Sequence, residues 1–139
     1  MSSPRVVVDT NVLIRAGLLR ASVPRRILDW ILDHGVLLTS SATEAEFASR
    51  FVARSKFDRY APVSERSAFV AAVVARAERV RVRSRLSVCS DPDDDRFVEL
   101  AVDGQAACIV TGNTRDFPGA YSSIPVLTPA RFAARYVDR

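Results

Sequence analysis

Lysine is almost missing from this chain. Of its 20 basic residues 19 are arginine, with Lys56 the exception, and histidine is as scarce, with His34 the one copy. Each shortage closes a route. A serine or cysteine triad needs a histidine held by other groups, and His34 stands just before Gly35 at a predicted helix end, where a capping role suits it. Aspartyl-phosphate chemistry also gathers acids at strand ends, but it usually employs a lysine beside them, and Lys56 is poorly placed for that. Cys89 and Cys108 are too few for a disulfide framework and show no CxxC spacing, so they read as reduced structural thiols. No apolar run approaches the roughly 20 residues of a transmembrane helix, and the terminus MSSPR lacks the apolar stretch of a secretory leader. A cytoplasmic protein with no membrane partner is expected. Repeats, linkers and low-complexity tracts are absent, which implies a single domain over 1–139.

What is present points to a globular fold with a polyanionic partner. Hydrophobic residues make up 48% of the chain and charged residues 26%, an ordinary balance. At this length about two-thirds of the unfolded surface is expected to be buried. The net charge is +4. Arginine's planar fork of donors matches phosphate oxygens, so nucleic acid is one reading of the surplus, and plain solvation of the surface is the other.

Strand and helix signals alternate along the chain. RVVV (5–8) is a continuous β-branched run of the kind a strand buried on both faces requires. SVPRRILDWILDHG places Ile27, Leu28, Ile31 and Leu32 at helical spacing, with Pro24 in the first turn and Gly35 as the stop. Trp30 falls in this helix and reads as a core or dimer contact. VLLTS (36–40) is a second short strand. SATEAEFASRFVAR and VSERSAFVAAVVARAE read as helices, the latter with Ser64 as a plausible N-cap. RVRV (79–82) has strand alternation, DDRFVELAVDG is a helix, and ACIVTGN is a buried strand entering a turn. IPVLTPARFAARYV supplies a last strand and helix. Strands separated by helices imply parallel crossovers, so an α/β fold is expected, a three-layer α/β/α sandwich with a central parallel sheet.

In such sheets, ligands bind beyond the carboxyl ends of the strands, which is where Asp9 falls. It could instead cap a helix starting near Val12, as Thr10 or Asn11 could. In CSDPDDDRFVELAVDG four aspartates lie within five residues, more than one capped helix needs. Asp91 suits the N-cap before Pro92. Asp94 shares a face with Phe97, Val98 and Ala101, whereas Asp95 aligns with Glu99 and Val102 on a more mixed row. A carboxylate aimed inward is costly to ionise unless paired or metal-bound. CIVTGNTRDF delivers Thr111 and Asn113 to another strand end, with Asp116 on the following loop. Glu44 and Glu46 face nearly opposite ways on one helix; periodicity alone favours Glu44, which aligns with Phe47, Ala48 and Phe51.

VVVDTNVLI, TSSATEAEF, DPDDDRFVELA and IVTGNTRDF, in that order and spanning Arg5 to about Thr128, resemble the PIN domain family. RSKFDRY and DPDDDRF resemble its VapC-like toxin subgroup. The resemblance implies an endoribonuclease using Mg²⁺ or Mn²⁺, held inactive by a cognate antitoxin, with a homodimer as the expected assembly. It also implies catalytic acids at Asp9, Glu46, Asp94 and Asp116, the second set by motif register against helical periodicity. Asp9, Asp94 and Asp116 become metal ligands, with Asn11, Thr111 and Asn113 in support and Asn113 standing where many relatives carry an acid. Arg15 and Arg115 lie near the acids in sequence and could grip RNA phosphates. A catalytically silent module that captures RNA or an antitoxin is the alternative.

Overall fold

The β-branched run Arg5–Val8 forms strand β1, and Val6, Val7 and Val8 are all buried. A computed structural model describes residues 3–139, so Met1 and Ser2 of the terminus read above for a leader lie outside the described residues. Strand β1 pairs with β2 (Val36–Thr39) on one side and with β4 (Cys108–Val110) on the other. Beyond β2 lies β3 (Glu78–Arg79), and beyond β4 lies β6 (Ile124–Leu127), all parallel. The last strand, β5 (Ala120–Tyr121), runs antiparallel to β6, giving the order β3-β2-β1-β4-β6-β5.

Because side chains alternate along β1, its two faces feed two cores. Val6 and Val8 pack under helices α1 (Thr10–Leu18), α2 (Val23–His34), α3 (Ser41–Phe51) and α4 (Val63–Arg76), and under the C-terminal helix α6 (Pro129–Phe132), which continues as a π-helical turn to Val137. Val7 packs with Leu38 and Ile109 under α5 (Asp95–Asp103) on the opposite face. The expected α/β/α sandwich is therefore what forms. Trp30 is a core contact, with its ring centroid 5.9 Å from both Phe132 and Tyr136. Ser64 is not the cap of α4, which already begins at Val63 behind Pro62. At Gly17 helix α1 comes close to its neighbours: a Cβ there would stand 2.8–2.9 Å from the rings of Phe51 and Phe69.

The RVRV segment departs from expectation. Only Glu78–Arg79 pairs as a strand; after Val80, whose N–H still donates to Thr39 O at 2.7 Å, the chain lies along α5, held by carboxylates. Asp103 accepts from the N–H groups of Arg83 at 2.6 Å and Ser84 at 2.8 Å. Glu99 accepts from Leu86 N–H at 2.8 Å, and Asp95 from Val88 at 3.0 Å and Cys89 at 2.9 Å. These three acids sit at i, i+4 and i+8, one turn apart on one helix face. They satisfy backbone donors that a neighbouring strand would otherwise take. The result is a strap whose Val80, Val82, Leu86 and Val88 pack inward while Arg81, Arg83 and Arg85 are exposed.

Candidate active site

The sheet order reverses at β1, with β2 and β3 to one side and β4 and β6 to the other. A crevice forms where strands diverge in this way, and the residues following the central strands line it. Asp9 follows β1, anchored by its N–H on Val110 O at 2.9 Å, and is only 5% exposed. Thr111 follows β4, anchored by its N–H on Leu127 O at 2.9 Å, and its hydroxyl donates to Asp9 Oδ2 at 2.8 Å. Asp9 occupies the N-cap position of α1, yet its side chain completes no capping hydrogen bond. Burial raises its pKa, opposed by the Thr111 hydroxyl and the nearby Asn11 N–H.

Asp94, at the end of the 3₁₀ turn Pro92–Asp94, is half-buried. Burial first, then the charges of Asp9, Asp91, Asp116 and Glu46, push its pKa up to about 7. Carboxylates from four segments thus act on Asp94 or belong with it at one edge of the sheet. Asp95, read from periodicity as belonging to the more mixed row, is the more buried of the two, because its carboxylate serves the strap. Asp91 is a cap, accepting from Asp93 N–H at 3.0 Å.

Glu46 is buried and accepts from the Thr10 hydroxyl at 2.6 Å, with Arg50 at 3.0 Å and Arg96 at 3.9 Å. Glu44 turns away to the sheet edge, where it accepts from Thr39 Oγ1 at 2.7 Å and pairs with Arg79. Asp116 is tied to the Asp91–Asp94 side: Ser90 Oγ donates to it at 3.1 Å, Ser90 N–H donates to its carbonyl at 3.0 Å, and Asn113 Nδ2 donates to its carboxylate. Asn11, Arg15 and Asn113 join Asp9 in the wall of the cleft; Arg115 is exposed on the Thr114–Asp116 turn and does not line it.

The residues this site adds to the sequence reading are Thr10, Arg50 and Arg96, which hold Glu46. The Glu46–Arg50 pair was available in the sequence as an i,i+4 match of opposite charge; Arg96 reaches Glu46 from α5 and left no such signal. Among the described residues no three acidic, histidine or cysteine side chains stand in a preformed metal cage. Asp9 and Asp116 lie near enough to Asp94 to act on its charge, and carboxylate oxygen is the donor type a hard cation takes. Mg²⁺ keeps several waters and commonly takes only one or two carboxylates alongside phosphate, so this donor set suits it without closing around it.

Residues 5–115 match the family model described as PIN domain. The chain belongs to the PIN domain family. This PIN domain is similar to the uncharacterized protein MJ1680 of Methanocaldococcus jannaschii, at 29% identity over 115 residues, 78% of this chain and 70% of the relative. In structure it is similar to a chain of VapBC2 from Rickettsia felis bound to a DNA fragment from their promoter, with TM-score 0.65, 14% identity, and coverage of 89% of this chain and 98% of that one. A chain of DNA-bound VapBC from Salmonella typhimurium gives TM-score 0.60, 16% identity, and coverage of 93% and 99%. At these identities the likeness is one of fold. No helix among the described residues is long and apolar enough to cross a membrane.

Proposed function

We propose that this PIN domain is a Mg²⁺- or Mn²⁺-dependent endoribonuclease, the toxin of a toxin–antitoxin pair. The observation that carries the reading is the half-buried Asp94, surrounded by Asp9, Asp91, Asp116 and Glu46 at the carboxyl edge of the sheet. Mutual repulsion on this scale is relieved when a divalent cation sits among the acids. Asp9, Asp94 and Asp116 would hold the ion directly or through water. A bound Mg²⁺ or Mn²⁺ screens phosphate charge and lowers the pKa of water, which makes a nucleophile available near neutral pH.

The chain's own groups do the rest. Thr111 fixes the rotamer of Asp9 through its hydrogen bond. Glu46 is held by Thr10 and Arg50, and in this reading it orients the attacking water or takes its proton. Arg15, in the cleft wall, is placed to grip a flanking phosphate. Water attack leaves 5′-phosphate and 3′-hydroxyl ends. Membership of VapBC complexes among the structural neighbours supports an antitoxin partner for this chain.

The test is RNA cleavage by the purified protein with Mg²⁺ or Mn²⁺, with EDTA, and with Asp9→Asn or Asp94→Asn. Cleavage is expected only in the metal-loaded wild type, with each variant down by about 10²-fold or more. Undiminished cutting in EDTA would remove the metal from the mechanism. A wild type that binds RNA or an antitoxin but cuts nothing under either metal would favour the silent binding module.

A further inference from the structure

A hollow beside Glu46 is walled by Arg50, Arg54 and Arg96, and it shares Ala42 and Arg96 with a second hollow walled by Arg79, Arg81 and Arg85. These arginines differ in how they are answered. Arg50 and Arg79 are paired with Glu46 and Glu44, and Arg96 lies 3.7 Å from Asp93 and 3.9 Å from Glu46. Arg81 and Arg85 are exposed and, among the described residues, have no carboxylate within 4.0 Å.

Their backbone is nevertheless fixed. The strap is tied to α5 through the N–H groups of residues 83, 84, 86, 88 and 89, and its valines are packed against the core. Arg81 and Arg85 are four residues apart on an extended chain, so they stand about 13 Å apart on one side. Unanswered like charges on a rigid strip are a ready surface for an anion that can lie along it. The wall shared at Arg96 sets this hollow next to Glu46, so an RNA strand held at the acids and extended past Arg96 would lie along it.

We propose that Arg81 and Arg85 are a second phosphate-holding station for the RNA strand, reached from the carboxylate pocket by way of Arg96. This rests on the ribonuclease reading above. The guanidinium forks engage backbone phosphates and carry no base specificity.

The test measures anisotropy of a labelled single-stranded RNA with the full chain in EDTA, over a series of salt concentrations. Wild type is compared with Arg81→Gln/Arg85→Gln, Arg81→Lys/Arg85→Lys, and a charge-matched pair off the groove, Arg76→Gln/Arg139→Gln. Each lost single-strand phosphate contact removes about 0.7 from the log–log slope, so the first pair flattens it by about 1.4 and binds roughly 25-fold more weakly at about 0.1 M salt. The lysine pair and the off-groove pair keep the wild-type slope, which separates local contact from loss of net charge or of fold. If the glutamine pair retains the wild-type slope while wild type still cuts RNA, the station is overturned and the ribonuclease reading stands. If that pair loses binding to polyglutamate but not to RNA, the strip serves a protein partner and the proposal falls. A wild type that neither binds nor cuts RNA overturns both.

Discussion

Asp94 is pushed up to about 7 by burial and by the carboxylates around it, and the direction decides how pH acts on the metal-free fold. The folded state holds this proton more tightly than the unfolded chain, whose aspartate titrates near about 3.9. Stability in EDTA therefore falls as pH rises from about 4 to about 7. Asp94→Asn should relieve roughly 1 kcal/mol above pH 7 once solvent screening of a half-exposed group is allowed for, seen as a melting temperature higher by about 3–5 °C. No gain is expected near pH 4. A variant melting like wild type at both pH values would show that the acids do not repel. The two glutamates are separated by kinetics. Glu46→Gln should lower kcat by about 10²-fold, whereas Glu44→Gln, which only loosens the contact with Arg79 and Thr39, should stay within about twofold of wild type and lose stability instead. The reverse pattern in kcat would place Glu44 in the site. At this scale the acids were legible because polar residues ending apolar runs are conspicuous. Thr10 reads in the sequence as a possible helix cap, and its role at Glu46, like those of Arg50 and Arg96, appears only once Glu46 is seen to be buried.

Among the elements, β1, β2, β4 and α2 could be read directly, each having an uninterrupted apolar run or a clean helical stripe. The strap could not. Its alternation announces a strand, but its hydrogen-bond partners are side chains of a helix that follows it in sequence, and no local pattern records that. The β5–β6 hairpin was hidden for another reason: Ser122 and Ser123 both take positive φ, 49° and 68°, where Asn-Gly would have signalled the turn. The strap's dependence on α5 is measurable. Asp103→Ala removes acceptors from Arg83 N–H, Ser84 N–H and the Ser84 hydroxyl and should cost about 1–3 kcal/mol in urea unfolding at neutral pH. The Ser84 hydroxyl and the N–H groups of Ser84 and Arg83 hold the Asp103 pKa below its usual value. That stabilisation is present above about pH 4 and lost as pH falls through the folded pKa, so wild type and variant should converge in acid. A gap unchanged by acid would mean the carboxylate's charge contributes nothing.

For the whole molecule, the net charge is +4, and Arg50, Arg54 and Arg96 stand beside Glu46. Long-range attraction of an anionic strand to such a surface weakens with salt. We expect kcat/KM on RNA to fall steeply as salt is raised while kcat at saturating RNA changes little, and flat salt dependence of both would show that the surplus does not steer substrate. Gly17 adds a consequence of another kind. It has no chemistry of its own, yet it sets how near α1 may come to Phe51 and Phe69, and α1 begins beside Asp9. A single methyl at position 17 would lever that helix outward and swing its head, so a mutational screen should score this remote glycine as intolerant as an acid of the crevice.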